Sequence, residues 1–177
     1  MSVQSLQISS SIQWLSKPQI PGMSLTPVLQ SWLTDNGLLT ARMRRLCNNF
    51  RLEVLEDDAT LATDTLRRVI LLCADVPCIY AETFLPAATR AAHPWLRGLG
   101  SEPLGEALQS RPEVSRGAFE YALLSPSQLP ADTSVNKESS LWARRSVFTV
   151  RREPLTVTEI FLPGIIECEN QRVQISD

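Results

Sequence analysis

Two charged side chains sit where an alternating pattern calls for apolar ones. In Thr65–Ala74, Arg68 shares a strand face with Leu66, Ile70 and Leu72; in Leu155–Leu162, Glu159 shares one with Leu155, Val157 and Phe161. A charge on an apolar face is costly unless it is paired or given a ligand. Two readings stand open. In one, Arg68 and Glu159 pair, or reach past the end of the sheet to water. In the other they line a pocket between sheet and helices. There the planar guanidinium of Arg68 takes a carboxylate and Glu159 meets a hydroxyl or ether oxygen. Arg67 enters the same contest, because its own face is apolar too.

Other chemistries find little support. The only histidine, His93, stands beside Pro94 in an expected loop. One histidine builds no metal cluster, and any Ser-His-Asp or Cys-His catalyst would have to rest on it. Cys47, Cys73, Cys78 and Cys168 form no CxxC pair and read as reduced, buried, small apolar residues. No Gly-rich phosphate or dinucleotide motif is present. Seventeen basic against nineteen acidic residues leave a net charge of −2, with no electrostatic footprint for nucleic acid. The longest apolar run, Val69–Ala74, is strand length, so no membrane span is expected. Met1–Ser16 lacks the basic start and apolar core of a signal peptide, which makes the cytoplasm the expected location.

The elements that must hold Arg68 and Glu159 can be read from periodicity. At 177 residues and 44% hydrophobic content, one domain with a real core is expected. Residues 1–24 read as an arm with a short ordered piece near Trp14 and Leu15, punctuated by Pro18, Pro21 and Gly22. Thr26-Pro27 starts a helix that Asn36-Gly37 stops, and a second runs from Leu39 on a Leu39, Met43, Leu46, Cys47 stripe. Phe50, Leu52 and Val54 mark a strand ended by an acidic turn at Glu56-Asp57-Asp58. Thr65–Ala74 reads as a central strand, joined through Asp75-Val76-Pro77 to a partner over Cys78–Leu85. Short helical pieces follow at Pro94–Gly100 and from Pro103, then a weak strand over Gly117–Leu124 and a surface loop over 125–140. Val147–Arg152 and Leu155–Leu162 form the last hairpin, turned at Glu153-Pro154. The domain spans 25–166, and 167–177 reads as a polar tail. Neighbouring strands and grouped helices make the class α+β, an antiparallel sheet with helices covering a buried pocket.

Four segments resemble bacterial chorismate lyases. They are Arg68-Val69-Ile70-Leu71-Leu72-Cys73; Leu96-Arg97-Gly98-Leu99-Gly100 followed by Pro103-Leu104-Gly105; Leu141-Trp142-Ala143-Arg144-Arg145-Ser146; and Pro154 to Pro163, carrying T-E-x-F-L-P. They run in order from about Trp32 to Pro163. The resemblance implies a lyase that removes pyruvate from chorismate and leaves 4-hydroxybenzoate, for ubiquinone synthesis. It implies no cofactor and no metal, chorismate and 4-hydroxybenzoate as the small-molecule partners, no nucleic-acid partner, and a monomer. Residue by residue it implies Arg68 at the ring carboxylate, the Leu104 amide beside it, and Glu159 at the 4-oxygen. Leu39 stands where the family has a methionine, and Glu82 where it often has an arginine.

The implied reaction makes the ring aromatic and needs positioning and charge stabilisation more than redox chemistry. Glu159 is then expected to have a pKa raised by burial and to act as general acid on the ether oxygen. A proton transfer within the substrate would need no base. The enolpyruvyl carboxylate calls for its own cation, with Arg144 and Arg145 as candidates or as structural ion pairs. The alternative is a non-catalytic small-ligand module of the same fold, as in regulator effector domains. It would require a basic DNA-binding unit upstream, for which residues 1–25 are too short and too weakly charged.

Overall fold

A computed structural model describes residues 11–17, 25–57, 64–131, 133 and 139–175. Pro18, Pro21, Gly22 and Asp58 lie outside the described residues, as do most of the loop over 125–140 beyond Ala131 and the last two residues of the tail. Thr26 caps α1 (Pro27–Leu33), its hydroxyl accepting from the Leu29 amide at 3.3 Å. α2 (Leu39–Leu46) follows, burying Leu39, Thr40 and Met43. Next come β1 (Phe50–Asp57), β2 (Thr65–Cys73) and β3 (Val76–Leu85), then the short helices α3 (Ala87–Ala92) and α4 (Leu104–Gln109), with a 3₁₀ turn over Pro94–Arg97 between them. β4 (Val114–Arg116), β5 (Glu120–Leu124), β6 (Leu141–Val150), β7 (Glu153–Phe161) and α5 (Gly164–Ile175) complete the chain.

The fold is α+β. The seven strands form one antiparallel sheet in the order β1-β2-β3-β7-β6-β4, with β5 pairing β6 beside β4. One face is covered by residues from the N-terminal arm and the loop after β5: Ile12, Trp14 and Leu129 pack on Ile70, Leu72, Tyr80 and Ile160. The other face carries two separate apolar clusters. At one end Val69, Leu71, Ile79, Trp142 and Phe161 meet α1, α2 and α5. At the other end Leu85, Val150 and Leu155 meet Leu96, Leu99, Leu104 and Leu108. Between them the same strands present Arg67, Thr83, Arg144, Ser146 and Glu159, so a polar band crosses the middle of this face.

Several expectations need correction. The acidic residues after Val54 do not turn: Glu56 and Asp57 continue β1 past a bulge because they oppose Arg68 and Arg67. The last hairpin turns at Arg151-Arg152, with Arg151 at φ +59°, and Pro154 is inside β7 opposite Thr149. β6 begins at Leu141, six residues before the expected start. The residues read as a polar tail form most of α5, held down by buried Ile165 and Cys168 and by Glu169, which accepts from Trp32 Nε1 at 2.8 Å. Periodicity missed this helix because few of its residues touch the core. The cysteines are not all thiols. Cys47 and Cys73, at the ends of α2 and β2, form a disulfide with Cα atoms 5.6 Å apart. Cys78 and Cys168 are free and buried, Sγ to Sγ 3.8 Å. Burial and the neighbouring Cys168 push the Cys78 thiol up to about 12.

Candidate active site

The polar band is the floor of a cavity holding about 720 Å³ of empty space, its mouth included. The sheet supplies the floor, and the N-terminal ends of α2 and α4 form part of the wall. Three guanidiniums, of Arg67, Arg116 and Arg144, and one carboxylate, of Glu159, line it. Asp57, just outside the lining, pairs with Arg67, so the site carries a net surplus of one positive charge in a largely apolar enclosure.

Each of these groups is placed by its backbone. Arg67 is 2% exposed. Its Nη1 donates to Asp57 Oδ2 at 2.7 Å, and its Nη2 to the carbonyls of Gly100 and Glu102 at 2.7 and 3.2 Å. Gly100, at φ +48°, takes a left-handed conformation that favours glycine, in the loop that delivers its carbonyl to Arg67. Arg144 closes the C-terminal end of α1, where carbonyls are left over. It donates to the carbonyls of Trp32, Leu33 and Asp35 at 3.3, 3.1 and 2.6 Å, while its Nε donates to Glu159 Oε2 at 2.6 Å. Glu159 is therefore braced through Arg144 against a helix end.

The ends of α2 and α4 add donors. Neither helix has a side-chain cap, since Leu38 and Pro103 stand at the capping positions. The amides of Leu39, Thr40, Leu104 and Gly105 thus lack partners within their helices. All four residues line the cavity. The two helix ends come together at Gly105, where a β-carbon would lie 3.2 Å from Leu38. Two helix N-termini thus stand beside Arg67, and the partial positive charge at a helix N-terminus favours an anion. Thr40 contributes one more group: its hydroxyl oxygen is buried and has no hydrogen-bond partner.

The residues singled out from sequence do not all meet here. Glu159, Leu104 and Leu39 line the cavity. Arg68 does not. It lies on the opposite face of β2, 4% exposed, bonded through Nε to Glu82 Oε2 at 3.2 Å and through Nη1 to Glu56. Burial alone would lower the Arg68 pKa, but Tyr80, Glu82 and Glu56 outweigh it and hold it above the ordinary arginine value. Arg67 occupies the cavity position on β2 instead. Arg68 and Glu159 do not pair with each other, because β2 and β7 present them to different sides of the sheet. Arg145 is also on the far face, bonded to Glu120 at 2.8 Å and stacked over Trp14. His93 is buried against the Val150 carbonyl at 3.2 Å, outside the cavity lining.

Sequence reasoning passed over Arg116, Thr40 and Asp57. Arg116 had a signal, being a lone cation near the end of a short β-prone stretch. Thr40 and Asp57 had none without the fold. Asp35 lies in the connection between α1 and α2. Burial pushes its pKa up, but the Gly37 amide, Arg42 and Arg144 outweigh that and hold its carboxyl below the ordinary aspartate value.

Residues 8–171 match the family model described as chorismate lyase. A protein of Aromatoleum aromaticum called probable chorismate pyruvate-lyase is 36% identical, over 87% of this chain and 94% of its own. Proteins given the same description in Ralstonia nicotianae and Dechloromonas aromatica are 37% and 35% identical. They cover 76% and 84% of this chain, and 80% and 94% of their own.

Proposed function

The chain belongs to the chorismate lyase family, and on that premise we propose that it removes pyruvate from chorismate to leave 4-hydroxybenzoate. The observation that carries this reading is the cationic lining of the cavity, three guanidiniums against one carboxylate, since chorismate is a dicarboxylate and the product keeps one carboxylate.

In this reading the ring carboxylate lies between Arg67 and the ends of α2 and α4. The amides of Leu39 and Leu104 donate to it, and the Thr40 hydroxyl is a further donor. A methionine-to-leucine change at position 39 leaves a backbone amide unaltered, so the departure from the family pattern costs this contact nothing. Arg67 takes the role that the sequence pattern assigned to Arg68. Asp57 balances the Arg67 charge from one side, and its remaining recorded partners are two carbonyls.

Glu159 faces the other end of the ring. Its Oε2 accepts a charge-assisted bond from Arg144, which leaves Oε1 to accept from the ring hydroxyl. This supports Glu159 as an orienting acceptor rather than the expected proton donor. Elimination then breaks the ether C–O bond and a ring C–H bond, and the freed electrons complete the aromatic ring. The hydrogen passes to the departing enolpyruvyl group within the substrate itself, so the protein needs no separate base. Its contribution is orientation and a dry, preorganised field.

The finer parts of the reading concern setting. A cytoplasmic monomer supplying 4-hydroxybenzoate for ubiquinone synthesis is consistent with two surface features. Edge strand β1 carries exposed Arg51 and Glu53, which discourage edge pairing. Val147 is the only exposed large hydrophobic among the described residues.

The test is incubation of purified protein with chorismate while the absorbance of 4-hydroxybenzoate is followed. Absence of product at micromolar enzyme would refute the proposal. Glu159→Gln, run as a single turnover with enzyme in excess so that slow release does not mask chemistry, separates the two roles of Glu159. A loss below about tenfold fits an orienting acceptor. A loss of about 10²–10⁴-fold fits general acid catalysis.

A further inference from the structure

If the ring carboxylate is held at the ends of α2 and α4, the second carboxylate of chorismate still needs a cation. Of the two cations considered for it, Arg145 is on the far side of the sheet. Arg144 does line the cavity, but four of its bonds are recorded: three to helix-end carbonyls and one to Glu159. Arg67 is held by Asp57 and two carbonyls. Arg116 differs from both. It ends the edge strand β4, it is exposed, and its recorded hydrogen bond goes to a neutral group, the Asn36 carbonyl. Its guanidinium rests on the rings of Phe119 and Phe148, 4.6 and 5.8 Å from their centres.

Its location is equally specific. A second cleft, with about 540 Å³ of empty space, adjoins the first, and Arg116 lines both. Gly37, Leu38, Gly105, Leu108 and Phe148 are shared as well, so the two form one passage. The outer cleft is lined by Arg111 and Arg116 and by no carboxylate. Although the residue is exposed, partial burial of its guanidinium at the mouth and the charge of Arg144 push the Arg116 pKa down, and Glu159 and Asp35 oppose this only in part. Arg116 is thus a cation at the inner mouth with no recorded carboxylate partner among the described residues.

We propose that Arg116 binds the enolpyruvyl carboxylate, the one that leaves with pyruvate, and so distinguishes the dianionic substrate from the monoanionic product. The inference rests on the chorismate lyase reading. Before the C–O bond breaks, the substrate is held at both ends, by Arg67 with the helix termini and by Arg116. Once it has broken, the aromatic product keeps only the inner contacts. Arg116 then has no further claim on the product, while pyruvate lies beside a passage lined by Arg111.

Arg116→Gln removes the charge and keeps a polar stem; Arg116→Lys restores a charge without the planar fork. Single-turnover kinetics on chorismate and equilibrium binding of 4-hydroxybenzoate are measured for wild type and both variants. The expected result for Arg116→Gln is a loss in kcat/KM of about 10- to 100-fold, the size of one charge-assisted hydrogen bond. It should lie mainly in the concentration dependence, with product affinity within about twofold of wild type and partial recovery in Arg116→Lys. A parallel loss of product affinity would overturn the inference, because Arg116 would then serve the common part of the two ligands. Unchanged kinetics on chorismate would overturn it too. No product from wild type would refute the lyase reading itself, and the inference with it.

Discussion

Arg67 and Arg68 are consecutive residues of one strand, both almost wholly buried, and they do opposite work. Arg68 faces the side closed by the N-terminal arm, where Glu82 and Glu56 answer it. Two carboxylates and no cavity make that cluster a structural one. Arg67 faces the side where the two apolar clusters part. It has one carboxylate, two carbonyls and a cavity. Burial alone therefore does not mark a functional charge in this molecule. What separates the two arginines is that one has two carboxylates and no cavity, and the other one carboxylate and a cavity.

The largest effect that would break this comparison is on stability. Arg68→Ala strands Glu82, which is 1% exposed, and should cost about 3–5 kcal/mol in urea unfolding while activity per folded molecule is kept. Arg68→Met with Glu82→Leu should recover much of that loss, since a buried pair replaced by apolar groups is often neutral. If Arg68→Ala instead folds normally and loses chorismate turnover, the two faces have been assigned the wrong way round. Arg67→Ala is expected to do the reverse. A lost charge-assisted contact of about 1.5–3 kcal/mol predicts a 10- to 150-fold fall in 4-hydroxybenzoate affinity by titration, with kcat/KM falling in step.

Smaller effects sharpen the same contrast between satisfied and waiting groups. Thr40 keeps a buried hydroxyl without a partner, which costs folding free energy until a ligand arrives. Thr40→Val should raise the melting temperature of the free protein and weaken 4-hydroxybenzoate binding about three- to tenfold, whereas Thr40→Ser should bind normally. A valine variant that is both less stable and unchanged in binding would remove Thr40 from the site. The smallest effect concerns Asp35. Its pKa is depressed in the folded protein, so it adds stability above its ordinary value of 3.8, and that stability is lost as pH falls through the folded value. Asp35→Asn should cost about 0.5–1 kcal/mol near neutral pH, a gap that closes as acid protonates the folded carboxyl, below its ordinary value of 3.8. A gap that stays constant even in acid that protonates the folded carboxyl would show that shape, not charge, is what Asp35 supplies.

Much of the frame was legible in residue order. Thr26-Pro27 marks the start of α1, the Leu39–Cys47 stripe marks α2, and Pro103 marks α4, because caps and periodicity are local. The odd-numbered alternation through Leu155, Val157, Glu159 and Phe161 placed Glu159 on an apolar face for the same reason. The motifs around Arg144 and Glu159 pointed to the family. What stayed hidden depended on contacts between distant segments. α5 is weakly amphipathic and is held by single contacts such as Glu169 to Trp32. The Cys47–Cys73 disulfide joins a helix end to a strand end that only the packed sheet brings together.

The sequence by itself determined which residues alternate with which. Arg68 does share its face with Ile70 and Leu72, and Glu159 shares its own with Val157. It could not determine which of these faces lie on the same side of the sheet, because that is set by register between strands. Here a single extra residue decides it. β2 and β3 pair as a tight hairpin from Cys73–Val76 to Leu72–Pro77, and then a bulge inserts Cys78, so that Leu71 meets Ile79 and Arg68 meets Glu82. Without the bulge, Arg67 would stand opposite Glu82, and a second carboxylate would enter the cavity side beside it. A shift of one residue turns every side chain to the other face. Strand content is written in local pattern, whereas the side that a charge faces is settled only when the hairpin closes and the helices pack on it.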